Sequence, residues 1–227
     1  MITLENMLDS GVHLGHQVRR WNPKMSPYIY GKRNGIHIID VLQTFICLDE
    51  ASKFLFEIGK GKKTVLFVGT KPQFGSIIED CALKCNAHYV NKRWLGGMLT
   101  NWSTMEVCIE NLKFLDKQEK EGIFDRLTKK EVIILRKKKE KLEKFFGGVK
   151  TMRNKPDVVI VVDQQREINA VRECLKLGIP LVTFLDTNCD PTLTDFFVLG
   201  NDDSIRSVKL LLGELTESIV RGQNAAQ

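Results

Sequence analysis

Thr64-Val-Leu-Phe-Val-Gly-Thr-Lys-Pro72 decides the fold. Five residues without a charge, rich in β-branched and aromatic side chains, form a strand covered on both faces. Gly69 ends the run, Thr70 is placed to cap a helix, and Pro72 suits that helix's first turn. The helix is expected to reach about Cys85. The same strand-then-helix pattern returns further along the chain. Asp157–Val162 and Leu181–Leu185 read as buried strands, with a helix at Arg166–Leu177 stopped by Gly178. Short strands are expected at Ile36–Val41 and His88–Val90. A helix is expected at Gln43–Gly59, from apolar Ile46, Leu48, Ala51, Leu55 and Ile58. Strands alternating with helices give a parallel sheet with right-handed crossovers. The expected class is therefore α/β, a doubly wound sheet of flavodoxin-like type.

Outside this core, Thr3–Leu8 reads as a short amphipathic helix, and Asn201-Asp-Asp-Ser204 caps a last helix running to about Val220. Gly11–Gly35 reads as a loop, punctuated by Gly15, Asn22-Pro23, Pro27 and Gly31. Glu106–Phe146 has no strand signal. It reads as two helices, Thr104–Lys120 and one starting at Thr128, where Thr-Lys-Lys-Glu131 is a capping box. Val132, Leu135, Leu142 and Phe146 keep a coiled-coil-like seam that Lys139 interrupts. The expected organisation is a sheet domain over residues 1–104 and 148–227. An α-helical coiled-coil hairpin over 105–147 is inserted between its third and fourth strands.

Charge is unevenly spread. The 227 residues carry a net +6, but Pro156–Gln227 has six basic and eleven acidic residues and is −5, leaving +11 for Met1–Lys155. A split of this kind points one part of the molecule at a polyanion. Gln17–Gly35 holds five bases (Arg19, Arg20, Lys24, Lys32, Arg33), no acid and three aromatics (Trp21, Tyr28, Tyr30). Bases neutralise phosphates and aromatics offer stacking faces, so the segment reads as RNA-binding. The bland alternative is a basic surface loop with Trp21 and Tyr28 tucked into the core. A second acid-free stretch runs from Cys81 to Met105. It contains Lys92, Arg93 and Asn101 around Gly96-Gly97, just past a strand end, where open α/β folds place ligands. Here a purely structural loop, with Trp94 and Trp102 packed between sheet and hairpin, weighs equally. Arg136, Lys137 and Lys138 lie in a helix arm, Lys129–Lys144, with eight bases and three acids. A solvated face explains such a run, and an acidic partner is the alternative.

Enzyme signatures are weak. Thr64 stands where a phosphate loop needs its first glycine, and no dinucleotide fingerprint or nucleophile elbow occurs. Asp163 and Asp186 end strands, as catalytic carboxylates do, but such residues as often cap turns. They and Gly69–Lys71 support only a fold-level alternative, a small nucleotide-binding protein or enzyme. Cys81, Cys85 and His88, or His13 and His16, have metal-ligand chemistry without an evident complete set, so no metal and no cofactor are expected. The six cysteines read as reduced thiols. Met1–Ser10 carries two acids and no base, unlike a secretory or transit segment, so the expected place of work is where the chain is made. No apolar run is long enough for a bilayer, and no membrane partner is expected.

Several of these segments together resemble one family. Gly11-Val-His-Leu-Gly-His16, Arg20-Trp-Asn-Pro-Lys-Met25, Gly35-Ile-His-Ile-Ile-Asp40 and Val68-Gly-Thr-Lys71 resemble motifs of the small-subunit ribosomal protein S-two family. So do Tyr89-Val-Asn-Lys-Arg-Trp-Leu-Gly-Gly-Met-Leu-Thr-Asn101, Asp186-Thr-Asn-Cys-Asp-Pro191 and Asn201-Asp-Asp203. Leu14 departs from the family's usual Phe, and Leu199 from a usual Pro. Trp102-Ser-Thr104 is similar to the plastid and cyanobacterial branch. The resemblance implies a non-catalytic protein bridging head and body of the small subunit through ribosomal RNA. It also implies contact with neighbouring small-subunit proteins, including the large messenger-binding one, and a plastid or cyanobacterial location. Its implied RNA contacts are Arg19, Arg20, Trp21, Lys24, Lys32, Arg33, Lys92, Arg93 and Asn101. Arg136, Lys137 and Lys138 are the candidates for facing a protein.

Overall fold

The structure, a computed structural model, describes residues 2–226. In chain order the elements are α1 (Leu4–Asp9), β1 (Leu14–Gln17), β2 (Ile29–Arg33), β3 (Ile36–Ile39), α2 (Val41–Lys60) and β4 (Val65–Val68). Then come α3 (Gly75–Lys84), β5 (His88–Val90), α4 (Trp102–Lys120), α5 (Lys129–Phe146) and β6 (Val158–Val161). The chain ends with α6 (Ile168–Leu177), β7 (Leu181–Leu185), β8 (Phe196–Leu199) and α7 (Ile205–Ala225). No helix among the described residues is long and apolar enough to cross a membrane.

Five strands make a parallel sheet in the order β5-β4-β6-β7-β8, so its first two strands are exchanged relative to the chain. This is the flavodoxin-like order, with the topological switch between β4 and β6. The apolar runs are explained by burial on both sides. Val65 and Phe67 join the core under α2, α3 and α7, while Leu66 and Val68 join the core under α4 and α6. In β6, Val158 and Ile160 face the first core, and Val159 and Val161 the second.

Two expectations are corrected. Ile36–Ile39 does not join the parallel sheet. It pairs antiparallel with β1 and β2 in a separate three-stranded sheet, so most of the expected Gly11–Gly35 loop is a folded layer. The turn between β2 and β3 is Asn34-Gly35, with φ of 51° and 76°, the geometry that tight hairpins demand. The parallel sheet takes its fifth strand from Phe196–Leu199 instead, where Phe196 and Phe197 are only partly buried.

Helices α2 and α7 pack across one face with almost no separation. A Cβ on Gly222 would run into the carbonyl oxygen of Phe56, and one on Gly59 into that of Ile219. The obstructing atoms are backbone and cannot swing aside. Gly222→Ala is therefore expected to destabilise the fold by about 1–3 kcal/mol through overpacking, read as a lower denaturant midpoint with an unchanged slope.

Helices α4 and α5 follow one another between β5 and β6, the second and third strands of the parallel sheet in chain order. Thr128 and Glu131 make the reciprocal capping box of α5. Ile109, Leu112 and Phe146 are buried in the core that the base of the hairpin shares with the sheet, with Leu142 packed against it, while Val132 and Leu135 further out stay half-buried. Lys139 interrupts the apolar seam for an electrostatic reason: its ammonium lies 2.6 Å from Asp116 and 2.7 Å from Glu119 on the opposite arm.

Candidate nucleic-acid interface

The antiparallel layer sits over the C-terminal ends of the parallel strands and is tied there by its backbone. The N–H of Asn22 donates to the Thr187 carbonyl at 2.8 Å, and that of Asn201, just past β8, to the Val12 carbonyl at 3.1 Å. The His16 N–H donates to the Thr187 hydroxyl at 3.0 Å. Arg19 and Arg20 fall in an exposed 3-10 turn, Val18–Arg20, immediately after β1. Lys32 and Arg33, both exposed, flank the Asn34-Gly35 tip. Trp21 is 38% exposed, with its ring 5.3 Å from that of His37 and tilted 39° to it.

One residue expected to meet RNA, Lys24, has partners inside the protein, and Tyr28 follows the bland reading of a core contact. The Lys24 ammonium lies 2.6 Å from Asp190 and 3.1 Å from the Thr192 hydroxyl, so it tethers its turn to the segment after β7. Tyr28 packs edge-on against Phe197 at 5.4 Å, inside a small core with Met25 and Ile39. Tyr30 is the open aromatic of this segment, 82% exposed.

The second basic segment leaves β5 at the same end of the sheet. Lys92 and Arg93 are exposed and Trp94 is buried beneath them. Asn101 is exposed; its N–H bonds the Gly97 carbonyl at 2.8 Å and its Oδ1 accepts from the Thr104 hydroxyl at 3.0 Å. The topology thus brings together two segments that are far apart in sequence. Glu173, which sequence reasoning missed, accepts hydrogen bonds from this loop. Burial would raise its carboxyl, but donors from Trp94, Thr100, Leu99 and Gly97 hold it below its ordinary range. Nothing local in the sequence signals a contact between residues more than seventy positions apart.

Between the two basic segments lies the crevice where doubly wound folds take their ligands. Here it is filled by the chain's own side chains. The Lys71 ammonium is 2.7 Å from Asp163, 2.9 Å from Asp203 and 3.5 Å from Asp202. Burial would lower its pKa, but bonds to Asp163 and Asp203 and the field of Asp202 raise it. Thr70 does not cap the next helix. Its N–H and hydroxyl both donate to the buried Glu167. The hydroxyl also accepts from Arg166, an exposed cation between the two basic segments that stands in no basic run and so gives no local signal.

His16 reaches the same cluster, 2.9 Å from Asp186 and 3.4 Å from Asp203. The hydrogen bond to Asp186 raises its pKa to about 9, against the effect of burial. Burial, with Asp186 and Asp163 nearby, raises Asp202 to about 7. Ligand atoms of His16, Asp186 and Asp202 lie within 4.8 Å of one another, and the His16–Asp186 ion pair is at the centre of that group. His13 does not join them, and its Nδ1 is buried without a partner. Cys81, Cys85 and His88 do not form such a group. Burial raises the Cys81 and Cys85 thiols, the latter to about 12, and the Cys85 thiol donates to the Cys81 carbonyl. His88 faces the Thr151 hydroxyl at 3.4 Å.

A family model, Ribosomal protein S2, matches residues 7–222, nearly the whole fold just described. The chain belongs to that family. Among its relatives are the small ribosomal subunit protein uS2c of Mesostigma viride, 56% identical over 98% of this chain and 97% of that protein. The uS2 protein of Trichormus variabilis is 53% identical over 99% of this chain and 84% of that protein. The uS2c of Rhodomonas salina is 54% identical over 99% and 92%. Membership makes the chain a structural ribosomal component and not an enzyme, which sets aside the nucleotide-binding alternative at Gly69–Lys71, Asp163 and Asp186.

Proposed function

We propose that this chain is a structural constituent of the small ribosomal subunit, in a plastid or a cyanobacterial cytoplasm. It holds small-subunit ribosomal RNA against the C-terminal edge of its parallel sheet and bridges head and body. The observation that carries this reading is the pairing of two acid-free basic segments at one end of the sheet, with a self-filled crevice between them. Arg19, Arg20, Lys32, Arg33, Lys92 and Arg93 neutralise phosphates, Trp21 stacks, and Asn101 bonds sugar or phosphate. Lys24 sits in the same surface, but its charge is shared with Asp190, so its contribution is the smallest of the set.

Residues 105–147 act as an arm. Arg136 leans on Glu119 at 3.4 Å, while Lys137 and Lys138 are exposed and free to meet a neighbouring protein, the large messenger-binding one included. Ultraviolet crosslinking of gradient-purified small subunits, read by mass spectrometry, tests the RNA reading. Nucleotide adducts are expected on peptides spanning Arg19–Arg33 and Lys92–Asn101. Adducts confined to other peptides would sink it.

A further inference from the structure

The segment carrying Lys92, Arg93 and Asn101 contains no carboxylate, yet it is wrapped around one. Glu173, in the middle of α6, offers Oε1 to the Trp94 indole N–H at 3.0 Å and to the Gly97 N–H at 2.8 Å. Its Oε2 accepts from the Leu99 N–H at 2.9 Å, the Thr100 N–H at 3.1 Å and the Thr100 hydroxyl at 3.1 Å. The chain can present this many donors to one group because Gly97 takes a φ of 86°. Trp94, Met98 and Leu99 fill the space beneath and are buried, while Lys92 and Arg93 point outward and are exposed.

We propose that Glu173 is the positioning residue of an RNA-gripping loop. Its carboxylate fixes the backbone over residues 94–100, so that Lys92 and Arg93 at one end and Asn101 at the other stand at a set separation. The proposal rests on this loop's contact with RNA. An anion so close to a phosphate-binding surface would ordinarily repel the ligand. Here the donors consume its charge on the inner side of the loop. Without it, those N–H groups turn to water and the loop must be ordered when RNA binds, which weakens affinity with no RNA contact removed.

The test uses the full chain and a transcript of the small-subunit ribosomal RNA in filter binding. Glu173→Ala is expected to weaken binding about tenfold, the scale of one charge-assisted hydrogen bond. Glu173→Gln, which keeps the shape and one acceptor, falls between it and the parent and covers the case in which the alanine variant does not fold. Selective labelling should show the Trp94 indole N–H resonance displaced in both. In a Lys92→Ala, Arg93→Ala, Asn101→Ala background the same Glu173 changes should add almost nothing, because the contacts that the loop positions are gone. Equal losses in both backgrounds would reduce Glu173 to a general structural role and overturn the proposal. A Lys92→Ala, Arg93→Ala pair that weakens binding, beside Glu173 variants that do not, would overturn the proposal and leave the RNA reading standing. Unchanged binding by the Lys92, Arg93 pair itself would remove this loop from the RNA interface, and the proposal with it.

Discussion

Replacing Arg19 and Arg20 together by alanine is expected to flatten the salt dependence of binding to small-subunit ribosomal RNA. Each phosphate contact contributes close to one unit to the slope of log affinity against log salt, so the pair should lower it by about two. Affinity near physiological ionic strength should fall on the order of tenfold to a hundredfold. The fold should be indifferent to the change. Both side chains are exposed, and among the described residues neither makes an internal ion pair or side-chain hydrogen bond, so stability should move by less than about 0.5 kcal/mol. Lys24→Ala supplies the contrast. Its ammonium already shares charge with Asp190, so it should change the slope less than either arginine while loosening the turn it tethers. Filter binding at several salt concentrations reads both effects. A slope that stays at the parent value in the arginine pair would mean that this turn faces something other than phosphate.

The range of the forces decides which features the amino-acid sequence made legible and which it hid. Strands β4, β6 and β7 were readable because burial on both faces leaves every residue apolar, a local signal. Strand β8 was not, since Phe196 and Phe197 are half-covered at the sheet's edge and the run is four residues long. The N-terminal sheet escaped for a different reason. Its register shifts between Leu14 and Gln17 and again between Ile29 and Gly31, which breaks the alternation that marks a strand. Of its three strands only Ile36–Ile39 was read, and it was counted with the parallel sheet. At the site, the basic residues were visible because a run without acids is a local property. Their partners were not. Glu173 under the second loop, Asp190 beside Lys24 and Asp202 beside Lys71 are brought in by topology, and no spacing in the chain encodes them. Asp163 and Asp186 stood out as strand ends, but whether they face a ligand or a lysine depends on side chains that arrive from other elements.

That last distinction carries the largest expected effect on stability. Lys71→Ala removes the cation from a cluster in which Asp163 is 6% and Asp202 0% exposed. Besides its three carboxylate contacts, the Lys71 ammonium donates to the Asp202 carbonyl at 3.0 Å, and Asp202 Oδ2 has no hydrogen-bond partner even in the intact protein. Taking one partner from a buried charge cluster costs far more than the pair contributes, because Asp163 and Asp202 stay desolvated with their close cation gone and His16 paired to Asp186 and Asp203. The expected loss is about 3–5 kcal/mol. For a chain of this size that corresponds to a melting temperature lower by roughly 6–20 °C. Lys53→Ala is the matched control. Lys53 also makes a close ion pair, 2.6 Å from Asp49, but its side chain is 75% exposed, and its loss should leave the melting temperature almost unmoved. The damage at Lys71 should also reach the RNA surface. The carboxylates it neutralises include Asp203, which lies beside His16 in the layer that presents Arg19 and Arg20. Thermal melts of the two variants decide the matter. A Lys71→Ala protein that melts with Lys53→Ala would show that the crevice is wet, its acids hydrated, and its filling by the chain's own side chains too loose to exclude a ligand.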